Sequence, residues 1–235
     1  MRTVLSVFLI LFISMESCST RKTKNVIVVA IKSDADQINP VTYVSAFSRI
    51  LCTGIYPRLL ESEFDTATGT IRFVPSLAKR FEFSSDHKSL TYFLRSDVVW
   101  EDGARVTAKD IQFTFQRIND PELASPRKDQ IQMLVTDEKN DITDAIEIVN
   151  DSTITFHFKN VYPNQIYDTN LQPGFLPYHL LKDVKPSAWR QSAFNLHPVS
   201  AGAFRMKDWR KQEQIVYETN GLNPFSSRTA KIIFR

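Results

Sequence analysis

The chain has 235 residues, 43% hydrophobic and 11% aromatic, which is enough to build one large core or two small ones and excludes a disordered chain. Its 29 Lys and Arg against 26 Asp and Glu leave a formal charge of +3, with basic residues scattered among acids, so a nucleic-acid surface is not expected. With only two cysteines, Cys18 and Cys52, neither a disulfide framework nor a cysteine-based zinc site can be assembled.

The N-terminus reads MRTVLSVFLILFISMESCSTRKTKN. Arg2 precedes an apolar run from Val4 to Ser14, the length of a signal-peptide core and short for a bilayer span, so export is expected. Cys18 and a polar basic stretch follow. This order resembles a bacterial lipoprotein signal, with residues 1–17 removed and Cys18 acylated, although Glu16 departs from the pattern; an ordinary secretory signal is the alternative.

After a linker over 18–25, the run VIVVAI (Val26 to Ile31) reads as a buried strand emptying into a loop. Ala46 to Leu60 reads as a helix broken before Pro57, with Cys52 on its apolar side as a buried structural thiol. Three hairpins follow from alternation around polar turns. The first places Phe81 and Phe83 against Leu90, Tyr92 and Leu94; the second alternates Ile146, Ile148, Ile154, Phe156 and Phe158 around Asn150-Asp151; the third joins Ala203–Trp209 to Gln214–Glu218. His157 falls on the polar phase of its strand, as an exposed, neutral surface histidine would. The final AKIIFR begins another strand and stops there, which suggests a truncated chain. Strands outnumber helices, so the expected class is α+β, a mixed α/β fold.

Familiar catalytic motifs are absent. His87, His157, His179 and His197 are far apart with no partner at helical ligand spacing, and six glycines leave little room for phosphate-cradling loops. The densest acid cluster is Glu101-Asp102 beside Trp100, which an exported hydrolase could use as an acid/base pair. The same Asp102-Gly103 is also a strong hairpin-turn signal, because the turn needs positive φ. A helix start follows, with Thr107 as N-cap, Asp110 returning to the cap, and Val106 and Ile111 as a hydrophobic staple. Ile111, Phe115 and Ile118 form its apolar stripe, and Pro121 ends it.

The run LTYFLRSDVVWEDGARVTAKDIQFTFQRINDPELASP resembles the signature region of family 5 extracellular solute-binding proteins, the peptide and oligopeptide receptors of ABC importers. Leu94, Arg95, Trp100, Asp102, Gly103, Thr107, Ala108, Asp110, Asp120, Pro121, Ser125 and Pro126 fall in step with it. Gly202, Ala203, Phe204 and Trp209 match a later family hairpin, and Asn39-Pro40 stands where Asp-Pro is usual. The resemblance covers residues 26–235 and corresponds to roughly the first half of a family member.

It implies lobe one of a class II periplasmic-binding-protein fold, with a core from 26–60 and 175–235, an extra subdomain from 61–174, and the second lobe missing. It further implies a ligand paired to the main chain at Tyr43, Val44, Ser45 and Ala46, with Arg127 and Gln172 at positions where oligopeptide receptors often carry Tyr and His. The implied partners are a peptide or other small solute, ABC permease subunits, and the membrane through the lipid on Cys18; no cofactor, metal or catalysis is implied, and a monomer in the periplasm is expected. A surface lipoprotein serving as an interaction module is the alternative, beside the hydrolase.

Overall fold

The computed structural model describes residues 25–134, 141–225 and 227–235, so the expected leader and Cys18 lie outside the described residues. In chain order the elements are β1 (Val26–Val29), α1 (Ala46–Ile55), β2 (Leu60–Asp65), β3 (Thr70–Pro75), β4 (Ala78–Phe83), β5 (Ser89–Leu94) and α2 (Ala108–Asn119). Then come β6 (Ile146–Asn150), β7 (Thr153–His157), α3 (Gln165–Asn170), α4 (Tyr178–Leu181), β8 (Phe204–Arg210), β9 (Gln214–Thr219) and β10 (Lys231–Phe234).

The strands form a four-stranded sheet ordered β1-β10-β9-β8, a two-stranded ribbon β2-β3, and a second four-stranded sheet ordered β4-β5-β7-β6. All three expected hairpins are present: Phe81 pairs with Tyr92, Ile148 with Ile154, and Met206 with Tyr217. β1 and β10 run parallel, and every other pairing is antiparallel. The mixed α/β class is as expected.

Burial of β1 is not as expected. Val26, Ile27 and Val28 are 47%, 47% and 52% exposed, because among the described residues β1 is an edge strand paired to β10 alone. The ribbon β2-β3 was likewise unanticipated. Its turn is built by the Asp65 carboxylate, which accepts the Ala67 and Thr68 amides, and by Gly69 at positive φ.

α1 starts at Ser45, whose hydroxyl accepts the Ser48 amide at 3.0 Å, and stops at Tyr56, before Pro57. Leu51, Cys52 and Ile55 are fully buried, and the Tyr217 hydroxyl crosses from β9 to the Leu51 carbonyl at 3.1 Å. Burial also pushes the Cys52 thiol well above its ordinary pKa, so it is the inert core residue the sequence indicates.

α2 begins at Thr107, and the Asp110 carboxylate accepts the Thr107 amide at 2.7 Å, the return half of a capping box. Ile111, Phe115 and Ile118 are all buried, and the Phe115 ring meets Phe156 of β7 edge-on at 5.3 Å. Each such side chain removed from water stabilises by about 1.5–3 kcal/mol. Asp102-Gly103 is a turn: Gly103 has φ 89°, Val99 bridges Arg105, and Asp102 accepts the Ala104 amide at 3.1 Å.

Candidate ligand-binding site

The loop from Ile31 to Ser45 leaves the carboxyl end of β1, beside its parallel partner, where open sheets with parallel strands hold ligands. Its local anchor is Asp36. That carboxylate accepts the Val44 amide at 2.9 Å, the Ser45 amide at 3.2 Å and the Ser48 hydroxyl at 2.5 Å. Burial pushes the Asp36 pKa up, but these hydrogen bonds outweigh it and hold it below the usual carboxylate value.

Three consecutive carbonyls of the loop are then held from distant parts of the chain. Ser125 donates to Val41 at 2.6 Å, Arg190 to Thr42 at 3.4 Å and Arg127 to Tyr43 at 3.0 Å. Asn39 donates to Asn195 across 156 residues of sequence at 2.8 Å. A segment of backbone that would otherwise be free thus has one conformation.

Tyr43, Val44, Ser45, Ala46 and Arg127 come together here. Tyr43 is buried, with the Arg127 guanidinium 3.7 Å from its ring centre, a stacked cation-π pair. Burial, with the like charge of Arg49 adding to it, lowers the Arg127 pKa from its ordinary value. Val44 is 75% exposed, and Ala46 is exposed at the helix start. The Val44 and Ser45 amides are occupied by Asp36, while Val44 as a residue stays open to solvent.

Gln172 has no bond to this group among the described residues. It lines a 380 Å³ cavity with Arg49 of α1 and residues of the β2-β3 ribbon. Asp36, Arg190 and Asn195 were missed by sequence reasoning: their contacts to the Asn39-to-Ser45 segment span 8 to 156 residues, and only the Asp36 contacts to Val44 and Ser45 are near enough to suggest a local turn.

Glu101 and Asp102 face different partners. Asp102 is 2.7 Å from His179 Nε2, and Glu101 lies 3.9 Å from Arg205. His157 is half-buried, not exposed, with its ring nitrogens at Ser89 and Glu147, because β5 and β6 flank its strand.

Residues 72–222 match the family described as bacterial extracellular solute-binding proteins, family 5 Middle. The periplasmic oligopeptide-binding protein OppA of Escherichia coli K12 is 30% identical over 153 residues, which are 61% of this chain and 27% of that protein. Among solved structures, Haemophilus influenzae OppA complexed with RPPGFSPFR aligns with a TM-score of 0.73 at 23% identity, over 90% of this chain and 42% of that one. NikZ of Campylobacter jejuni in complex with Ni(L-His) aligns equally well, with a TM-score of 0.73 at 23% identity, over 90% of this chain and 39% of its own. The chain therefore spans less than half the length of each of these proteins.

Proposed function

Because the chain belongs to the bacterial extracellular solute-binding proteins of family 5, we propose that it supplies part of the ligand-binding wall of a peptide-type receptor for an ABC importer. The observation that carries this reading is the Asp36-to-Ser45 loop, pinned by Ser125, Arg127, Arg190 and Asn195. Holding one backbone segment rigid at the carboxyl end of a parallel strand pair lowers the ordering cost of binding an extended ligand against it.

In this reading the peptide meets the Val44 carbonyl and side chain and Ala46, while Asp36 retains the amides and Arg127 holds Tyr43 in place. Gln172 meets a ligand side chain. The core of lobe one is formed by 26–60 and 175–235, and 61–174 form the extra subdomain. A second lobe closes over the ligand, and the closed form is the one the permease recognises. The protein is exported, periplasmic and monomeric, held to the membrane by acylated Cys18, and performs no covalent chemistry. Fatty-acid labelling that is equal in wild type and Cys18→Ala would remove the anchor from this account.

Val44→Asp is the test of the loop. At 75% exposure the substitution should leave thermal stability unchanged while weakening peptide binding, read by ligand-observed NMR, about tenfold or more. Undiminished binding would place the ligand elsewhere.

A further inference from the structure

The β2-β3 ribbon has two unlike faces. Residues directly opposite each other share a face, so the pairs Ser62-Phe73 and Phe64-Ile71 stand on one side, and Glu61-Val74 and Glu63-Arg72 on the other. The second side is solvated and carries the Arg72–Glu63 ion pair at 3.0 Å. On the first side Phe64 and Ile71 are 66% and 67% exposed, an apolar surface that folding leaves in water.

That apolar side walls the 380 Å³ cavity introduced above. Ile71 and Phe73 line it together with Ile166 and Tyr167 of α3, and Arg49, Ser62, Asn164 and Gln172 supply its polar groups. The volume lies within the ~300–1,000 Å³ typical of small-molecule sites, and the lining has the usual form of apolar walls with a few polar groups. No carboxylate lines the cavity, and Arg49 has no ion-pair partner among the described residues. Its neighbour in charge is another cation, since Arg49 and Arg127 repel. An uncompensated guanidinium above apolar walls is complemented by an apolar body bearing one carboxylate.

We infer that this cavity holds an apolar or aromatic group carrying a carboxylate, with Arg49 on the carboxylate, Gln172 beside it, and the β2-β3 ribbon and α3 gripping the body. The C-terminal residue of a peptide has this chemistry, and so does a free aryl-alkanoate. Assigning the peptide source rests on the receptor reading above; the chemistry of the cavity does not.

Ligand-observed saturation-transfer NMR titrations of the full 235-residue chain decide it, with three probes: Gly-Gly-Phe, its C-terminal amide, and 3-phenylpropionate. The free acid should bind about fivefold more tightly than the amide, the scale of one partly exposed charge pair. Arg49→Gln should erase that difference, and Ile71→Ser should weaken acid and amide alike; both side chains are exposed, so folding should survive, as circular dichroism checks. Equal binding of acid and amide, a preference that survives Arg49→Gln, or no binding by any probe overturns the inference. Arg49-dependent binding of 3-phenylpropionate without binding of Gly-Gly-Phe keeps the cavity and sinks the peptide source. Binding of Gly-Gly-Phe without dependence on Arg49 overturns the inference while leaving the receptor reading intact.

Discussion

Asp110 and Asp102 lie eight residues apart in one motif, yet the folded protein treats their carboxylates in opposite ways. Asp110 is 2% exposed and accepts two main-chain donors, the Thr107 amide at 2.7 Å and the Tyr178 amide at 2.8 Å, tying the start of α2 to the start of α4. Asp110→Ala would leave both part-buried amides without this acceptor and should cost about 1–3 kcal/mol in urea unfolding. Burial pushes the Asp110 pKa above its ordinary 3.8, so the folded state binds its proton more tightly and this contribution to stability falls as pH rises through that range. The stability advantage of wild type over Asp110→Asn should therefore be larger below about pH 4 than at pH 7.

Partial burial also raises Asp102, but the hydrogen bonds from His179 and the Ala104 amide outweigh it and set its pKa below 3.8. Its stabilisation is present above that value and is lost as pH falls. Asp102→Asn should cost no more than about 1 kcal/mol at pH 7, a deficit that vanishes in acid, and should leave ligand capture unchanged. A large loss of capture with intact folding would instead favour the hydrolase reading. The Asp110 cap was legible from Thr107-x-x-Asp110 because it is local, whereas the Tyr178 and His179 contacts are 68 and 77 residues away and left no trace in the sequence.

Among the elements, the hairpins and α2 follow directly from alternation and capping, and the exceptions are instructive. VIVV forms a strand as its β-branched residues favour, but its exposure is set by its place at a sheet edge, which composition does not encode. The β2-β3 ribbon escaped notice because its apolar side faces water and its other side carries Glu61, Glu63 and Arg72, leaving no clear inward phase.

α1 is joined to the first sheet through Gly202, whose amide donates to the Ile55 carbonyl at 2.8 Å. A Cβ there would lie 2.7 Å from the Ile55 carbonyl carbon, a backbone atom that cannot swing aside. Gly202→Ala should therefore cost about 1–3 kcal/mol, measurable as a lower Tm, with α1 displaced from β8. An unchanged Tm would mean that the helix end is not held as tightly as this packing indicates.

For the molecule as a whole, the covered length governs binding strength. The chain spans 27% of Escherichia coli OppA and 42% of the Haemophilus influenzae structure, and in the proposed reading it is one wall of a cleft, which alone cannot enclose a ligand. The isolated chain should bind peptides more weakly than about 100 μM by calorimetry, a binding free energy less negative than about −5.5 kcal/mol. Micromolar affinity would show that this wall suffices alone. By itself, the sequence determined the strands, helices, turns and caps of the signature region and the family they mark, because each depends on side chains within a few residues of one another. Only the tertiary structure decided that Ser125, Arg190 and Arg127 converge on the Val41-to-Tyr43 carbonyls and Asn195 on the Asn39 side chain, that Asp36 occupies the Val44 and Ser45 amides, and that Arg49 and Gln172 line one cavity. Those contacts join residues separated by up to 156 positions, where pairing depends on how sheets and helices pack and not on local spacing.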